Sequence, residues 1–453
     1  LCRFVSSITA SPTVRLDLND GALWAVSADG LDLSPPPMRR SVVSTMLRDG
    51  EPISASAYGN RTLVLPLDLQ ASTEDAAWTA QQALWAELNR PTNILQLQLG
   101  GVPVFFKTYR APDSVLELVS GRVMNQRITL AIPAEPFALG LAEAPSPPTV
   151  TNNPAAGSNG QFFDLTGVKG DVETPLRITI PAADINGRAA VVFATRRGGT
   201  PSNMPFVLQA EAMPTSTDTS LPGNDALMSG SGSNYARTTF AGTPAASTRL
   251  SYNPWPVSAS VDNRGTYRVF ARIRKSVNGD AIDAYLTYGP MLISTGTVRL
   301  PANTVLQYVD MGLINFPAGA DPVDDTAGVA QTVAGQRIDW VAGRVSGSGN
   351  LDLDHLLFMP ADDSLLLANT TDANVIHRGV FDGVKEMFYG ITSGGDVSYS
   401  GAVPLPGGFP YVSPGVTNRV FYLKGLNGTT DPITATTVLT LAYWPRYLLV
   451  PGS

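Results

Sequence analysis

Few residues in this chain have the type and spacing to do chemistry. Only two imidazoles are present, His355 and His377, and nucleophilic or general-base catalysis would need one of them beside its partner. His355 ends the alternating stretch Leu351-Asp352-Leu353-Asp354-His355, whose leucines take one face of a strand. Both histidines read as structural, and no Gly-x-Ser-x-Gly elbow accompanies them. Carboxylate pairs for glycoside hydrolysis could come from Asp321, Asp324 and Asp325, or from Asp352 with Asp354. The first group reads better as a solvated turn and the second as one face of a strand, so the expectation is a protein that is not an enzyme.

Other chemistries are binding chemistries. The same carboxylates could hold calcium, a hard cation that takes several oxygens. Sugar binding needs an aromatic face with polar groups around it, and Tyr235, Tyr252 and Trp255 lie in stretches that read as loops. Trp340, inside a stretch that reads as a strand, reads as core. The glycine-rich Gly230-Ser231-Gly232 and Gly347-Ser348-Gly349 lack the lysine and helix of a phosphate loop. Arg272, Arg274 and Lys275 read as a solvated strand end that could meet an acidic neighbouring subunit.

Composition narrows the field further. The 453 residues suffice for two to four domains of about 100–200 residues each. With 42 glycines, 36 prolines and 15% charged residues, short strands joined by turns are expected, a mainly β class. A net charge of −7 without a sustained basic run argues against nucleic acid as a partner. The single cysteine, Cys2, permits no internal disulfide. No apolar run reaches the about 18 residues of a membrane helix, and the opening residues do not read as a signal peptide.

The elements are clearest between Arg61 and Leu139. Leu63, Leu65, Leu67 and Leu69 alternate as in a strand, and Ile94, Leu95, Leu97 and Leu99 form a second apolar segment. Between them Ser72 and Thr73 can cap a helix whose first turn carries Glu74 and Asp75. Ala77, Gln81, Leu84 and Leu88 line one side of it, Trp78 and Trp85 flank that stripe, and Asn89-Arg90-Pro91 stops it. Gly100-Gly101 turns into a strand ending at Tyr109, and Arg127 to Ile132 forms the last strand, expected to end at the prolines that follow.

This order, with the Gly30-Leu31-Asp32-Leu33 turn, Asp49-Gly50, Phe105-Phe106-Lys107-Thr108-Tyr109 and Glu135-Pro136-Phe137, resembles the N-terminal domain of distal tail proteins of long-tailed bacteriophages. The resemblance covers about the first third of the chain. It implies a β-sandwich with one packed helix over residues 1–142, closing as a homo-oligomer, a hexameric ring between tail tube and tail-tip proteins. Trp78, Trp85, Gly100 and Gly101 are the expected interface residues.

Beyond Leu139 the composition shifts. Residues 143–160 are rich in Pro, Ala, Ser, Asn and Gly and read as a linker. Residues 161–360 then hold strands spaced as in a jelly-roll sandwich. There Val207-Leu208-Gln209-Ala210-Glu211-Ala212 and Asn350-Leu351-Asp352-Leu353-Asp354-His355-Leu356 are similar to carbohydrate-binding modules of glycan-active enzymes. That likeness implies a glycan ligand and a structural calcium on Glu211 with Asp352 or Asp354; no other cofactor is expected. Residues 361–453 form a third β region, with Gly407-Gly408-Phe409-Pro410 and a closing Ala442-Tyr443-Trp444, similar to the C-terminal end of tail-tip proteins. The expectation is a virion protein of the tail tip, a distal or minor tail protein displaying a glycan-binding domain to the host surface. The competing reading is a secreted or surface carbohydrate-binding adhesin.

Overall fold

The computed structural model describes residues 1–42, 53–111, 115–117, 124–151, 162–181, 191–196, 206–213, 216–225, 227–228, 234–243, 245–252, 265–289, 293–302, 304–316, 337–360, 365–370, 378–398, 402–405, 409–424 and 436–451. The protein is mainly β, with one α-helix among the described residues. It folds as two compact units: Leu1–Glu143 with Val168–Thr174 and Tyr443–Ser453, and Ala144–Gly167 with Pro175–Ala442.

In the first unit the strands are β1 (Cys2–Val5), β2 (Val14–Asp17), β3 (Trp24–Val26), β4 (Met38–Val42), β5 (Ile53–Tyr58) and β6 (Arg61–Gln70). After α1 (Glu74–Leu88) follow β7 (Thr92–Leu97), β8 (Val104–Tyr109), β9 (Val115–Glu117), β10 (Asn125–Ala134) and β11 (Ala138–Leu139). The main sheet runs β2-β1-β7-β8-β10-β6-β3. Its longest ladder pairs β6 with β10 without interruption, from Asn125 opposite Gln70 to Ala134 opposite Arg61. Leu63, Leu65, Leu67 and Leu69 all face the core, with Ile128, Leu130 and Ile132 beside them. Each such side chain contributes roughly 1.5–3 kcal/mol by leaving water. The last strand runs two residues beyond Ile132 through Pro133, which lies opposite Thr62.

Helix α1 starts and stops for the expected reasons. Thr73 is the cap, its hydroxyl accepting from the Ala76 amide at 3.1 Å, and Asn89 ends the helix. Ala77, Ala80, Leu84 and Leu88 bury against the leucines of β6 and their neighbours in the core. Gln81 is buried too, and donates to Gln126 of β10 at 2.6 Å.

The unit is completed by chain from far downstream. Arg446–Tyr447 pairs with β11, and Val450 joins the core. Gly170 has φ +116° and lies so close to Arg446 that a Cβ there would stand 2.8 Å from its carbonyl oxygen.

The second unit contains two sets of sheets. The described residues between 206 and 360 form a sandwich. One sheet has the order Thr219–Ser220, Ala236–Thr238, Leu351–Pro360, Gly265–Lys275, Gln307–Phe316, with Phe206–Gln209 also on Leu351–Pro360. The other has Ser247–Tyr252, Arg337–Ser346, Ala281–Gly289, Ile293–Ser294, with Val298–Arg299 also on Ala281–Gly289. Both sheets supply one core, with Tyr267, Val269, Ala271 and Phe358 from the first and Ile282, Leu286, Trp340 and Ala342 from the second. The remaining sheets take strands from both sides of that sandwich in the sequence. Phe162–Leu165 and Val191–Arg196 pair with Asn418–Lys424, and Thr174–Pro181 pairs with Arg378–Asp382. Strand pairing therefore joins the strands Phe162–Leu165, Thr174–Pro181 and Val191–Arg196 to Arg378–Asp382 and Asn418–Lys424, with the strands of the sandwich lying between them in sequence.

Candidate functional site

A dense polar constellation lies on the face of the strand Leu351–Pro360 turned away from the sandwich core. Leu351, Leu353, Leu356 and Phe358 face the core, so the inward spacing changes from two residues to three across Asp354-His355. The cause is a bulge: Arg272 pairs with His355 and Ile273 with Leu353, leaving Asp354 extra on its strand. Strict alternation would have turned His355 inward. The bulge instead sets Asp354 and His355 side by side, Nδ1 of the ring 3.0 Å from the carboxylate.

Around that bulge every carboxylate meets a guanidinium. Asp352, fully buried, accepts from Arg237 at 2.7 and 2.9 Å and from Arg274 Nη2 at 2.9 Å. Arg274 Nη2 also donates to Asp225 at 2.9 Å. Arg272, only 1% exposed, donates to Asp354 at 2.5 Å and to the Leu227 carbonyl at 2.7 Å. On the far side of the ring, His355 Nε2 lies 3.1 Å from the Tyr308 hydroxyl. Burial acts to raise the Asp354 carboxyl, but His355 and Arg272 outweigh it and hold it well below the usual carboxylate range. Asp225 is held down likewise, burial being overcome by the Leu227 amide and Arg274.

This layer shows where the strand-end cations and the carboxylates considered for calcium lie. Arg272 is buried and Arg274 is 22% exposed at its side chain, both within an internal ion lattice, and Lys275, also buried, donates to the Asp280 carbonyl at 2.6 Å, so none of the three stands on a solvated face. Asp352 and Asp354 do share a face, but the oxygens expected to take calcium are occupied by arginines. Glu211, in the short turn Ala210–Ala212, does not join them in a metal-binding group, and no cluster of three His, Cys, Asp or Glu suited to a metal occurs among the described residues. Three carboxylates (Asp225, Asp352, Asp354) face three guanidiniums (Arg237, Arg272, Arg274).

Of the aromatics expected to meet a sugar, Tyr235 is 5% exposed and packs with Met228 and Leu306. The guanidinium carbons of Arg237 and Arg274 stand 5.3 and 5.8 Å from its ring centre. It is part of the ion lattice and presents no open face. Tyr252 ends a strand opposite Ile338, and Trp255, His377 and Asp321 to Asp325 lie outside the described residues. Trp340 is fully buried core.

The expected interface residues divide. Trp78 is 55% exposed on the outer side of α1, whereas Trp85 packs partly against the core. Gly100 and Gly101 lie in the β7–β8 turn, with Leu99 and Val102 beside them 45% and 47% exposed. Sequence reasoning missed Arg237 and Asp225, and the spacing of three between Leu353 and Leu356 was the signal that could have exposed the bulge.

No family model matches the chain, and no curated protein matches its sequence. Among solved structures it is similar to the SPP1 Dit protein, described as a paradigm of hub adsorption apparatus in Gram-positive infecting phages. The identity is 8%, the match covers 94% of this chain and 98% of that one, and the TM-score is 0.35. It is also similar to the phage P2 baseplate in its activated conformation with Ca, at 9% identity over 80% of this chain and 98% of that one, TM-score 0.24. The same baseplate with Sr gives 10% identity over 78% and 97%, TM-score 0.23.

Proposed function

We propose that this chain is a structural protein of a bacteriophage virion, a distal-tail or minor tail protein whose first unit assembles into a ring joining tail tube to tail tip. The observation that carries the reading is the Arg61–Leu139 order of strand, capped helix, strand, hairpin and closing strand. In the fold that order occupies one antiparallel sheet with α1 against its core. Its outer surface keeps Trp78 more than half exposed, together with Leu99 and Val102 at the β7–β8 turn, apolar groups of the kind that contacts between copies bury. The mechanism is assembly, and the hexameric number follows the family resemblance. Residues 161–360 would be the part that meets the host surface, and glycan is the ligand class that the carbohydrate-module resemblance implies for them.

The test is the native mass of the purified full-length chain, followed by negative-stain electron microscopy. A closed ring that falls apart on Trp78→Glu is the expected result. A chain that stays monomeric at high concentration and is captured by glycan would favour the adhesin reading instead.

A further inference from the structure

The outer face of the first unit's sheet holds a cleft of about 330 Å³, within the size range of small-ligand sites. Its floor is a cross-strand row: Val5 of β1 lies opposite Ile94 of β7, which lies opposite Lys107 of β8. Ile94, partly exposed, makes the base with Val5 fully buried beside it, and Lys107 rises at one side. Tyr109, two residues on and so on the same face, is 40% exposed. Glu135 completes that wall, its carboxylate 3.6 Å from the Lys107 ammonium, near enough to attract it and beyond hydrogen-bond length.

On the opposite side stands Arg15, and its placement is built. Phe4 pairs with Leu16 and Val5 with Val14, so Arg15 is the extra residue of a bulge in β2, a device that re-aims a side chain. Its Nη1 donates to the side-chain amide oxygen Oδ1 of Asn93 at 3.2 Å. Asn93 is 6% exposed and cannot turn: its amide donates to the Glu87 carboxylate at 2.9 Å and to the Glu87 backbone oxygen at 3.2 Å. Arg90 in turn holds that carboxylate at 2.8 Å. The end of α1 thus fixes Asn93, and Asn93 fixes one edge of a guanidinium that is otherwise exposed to the cleft. No carboxylate pairs with Arg15 among the described residues. Such prior ordering is what a binding group needs to act without an entropy penalty.

We propose that this cleft binds a carboxylated pyranose, a sugar of the uronic-acid class. Two cations less one carboxylate leave the cleft one positive charge, against −7 for the whole chain, which suits a ligand with a single carboxylate. Arg15 and Lys107 receive that carboxylate by charge-assisted hydrogen bonds. Glu135 accepts from ring hydroxyls, and Tyr109 offers its face to the apolar side of the ring. An acidic peptide fits less well, because a second carboxylate would meet Glu135.

The test uses the full-length chain with D-glucuronate and D-galacturonate, each beside its neutral counterpart, D-glucose or D-galactose, by saturation-transfer NMR and calorimetry. At least one uronate is expected to bind about ten-fold or more tightly than its neutral counterpart, with affinity falling as ionic strength rises. Arg15→Ala and Lys107→Ala, both at partly or fully exposed positions, are each expected to weaken it about ten-fold. Asn93→Ala should weaken it through Arg15, and Arg15→Lys should restore only part of the loss. Binding of neither uronate, equal binding of charged and neutral sugars, affinity unchanged by both alanine variants, or equal binding of a triglutamate peptide would each overturn the proposal.

Discussion

Arg61 and Arg272 are both buried guanidiniums, 4% and 1% exposed, and they are held in different ways. Arg61 opens β6, donates to the backbone carbonyls of Ser34 and Leu448 at 3.1 and 2.8 Å, and lies 4.4 Å from the Phe106 ring centre. No carboxylate pairs with it among the described residues, and burial pulls it down to about 10. Arg272 has a carboxylate at 2.5 Å, in a lattice where charges balance. Each ties together segments remote in sequence, but the first does so with neutral acceptors and the second with an ion pair. Losing one partner of a buried ion pair strands a charge, whereas losing a cation bound to carbonyls strands only dipoles.

The largest effect therefore belongs to the second unit. Arg272→Ala leaves Asp354 without its guanidinium and should cost about 3–5 kcal/mol, read as a lower denaturation midpoint. Hydrogen exchange should quicken first in 265–275 and 351–360. If Arg272→Ala cost no more than Arg61→Met, the distinction between the two sites would fail.

Acid should act on the same side. Asp354 and Asp225 lie below their ordinary value of 3.8 in the folded protein, so the stability they contribute is complete above that pH and drains away as pH falls below it. Exchange in 265–275 and 351–360 should rise on acidification before exchange in 61–70 does.

Arg61→Met is expected to cost roughly 1–3 kcal/mol, the carbonyls of Ser34 and Leu448 losing their donor. Cys2 offers a reporter confined to the first unit. Its thiol is buried in that core and pushed up to about 12 by burial, so it should resist thiol reagents until the unit opens. Labelling of Cys2 should accelerate in Arg61→Met and stay slow in Arg272→Ala under conditions where only the second unit opens.

Smaller effects sharpen the picture within the first unit. Thr73→Ala removes the cap of α1 and should cost about 1 kcal/mol, seen in the melting temperature. Gly101→Ala should change stability by less than about 0.5 kcal/mol, since a Cβ there meets nothing within 4 Å. A larger loss on assembly than on stability in that variant would support a contact between copies at the β7–β8 turn.

The two units also differ in how much their sequence reveals. In the first, Leu63 to Leu69 keep strict alternation even across Pro66, and the Ala77, Gln81, Leu84, Leu88 stripe keeps helical spacing, so local pattern and tertiary burial agree. Thr73 rather than Ser72 makes the cap bond, a one-residue choice that pattern does not settle. In the second, the ion lattice draws on Asp225, Arg237, Arg272 and Asp354, residues scattered over 130 positions, and only sheet order brings them together. Arg272, Arg274 and Lys275 look solvated in sequence because alternation gives a face without saying what covers it. The Arg15 cleft was invisible for the same reason: a bulge in β2 and a helix end must meet before it exists.

The return of residues 443–453 to the first unit fixes an order of events during synthesis. A ribosome delivers β1 to β11 early, but the strand Arg446–Tyr447, the Leu448 carbonyl that receives Arg61, and the core residue Val450 emerge only after the second unit has been made. The first unit consequently remains unfinished on every nascent chain, its core open where Val450 will close it. Completion of that unit is thereby deferred until translation has passed the whole inserted sandwich.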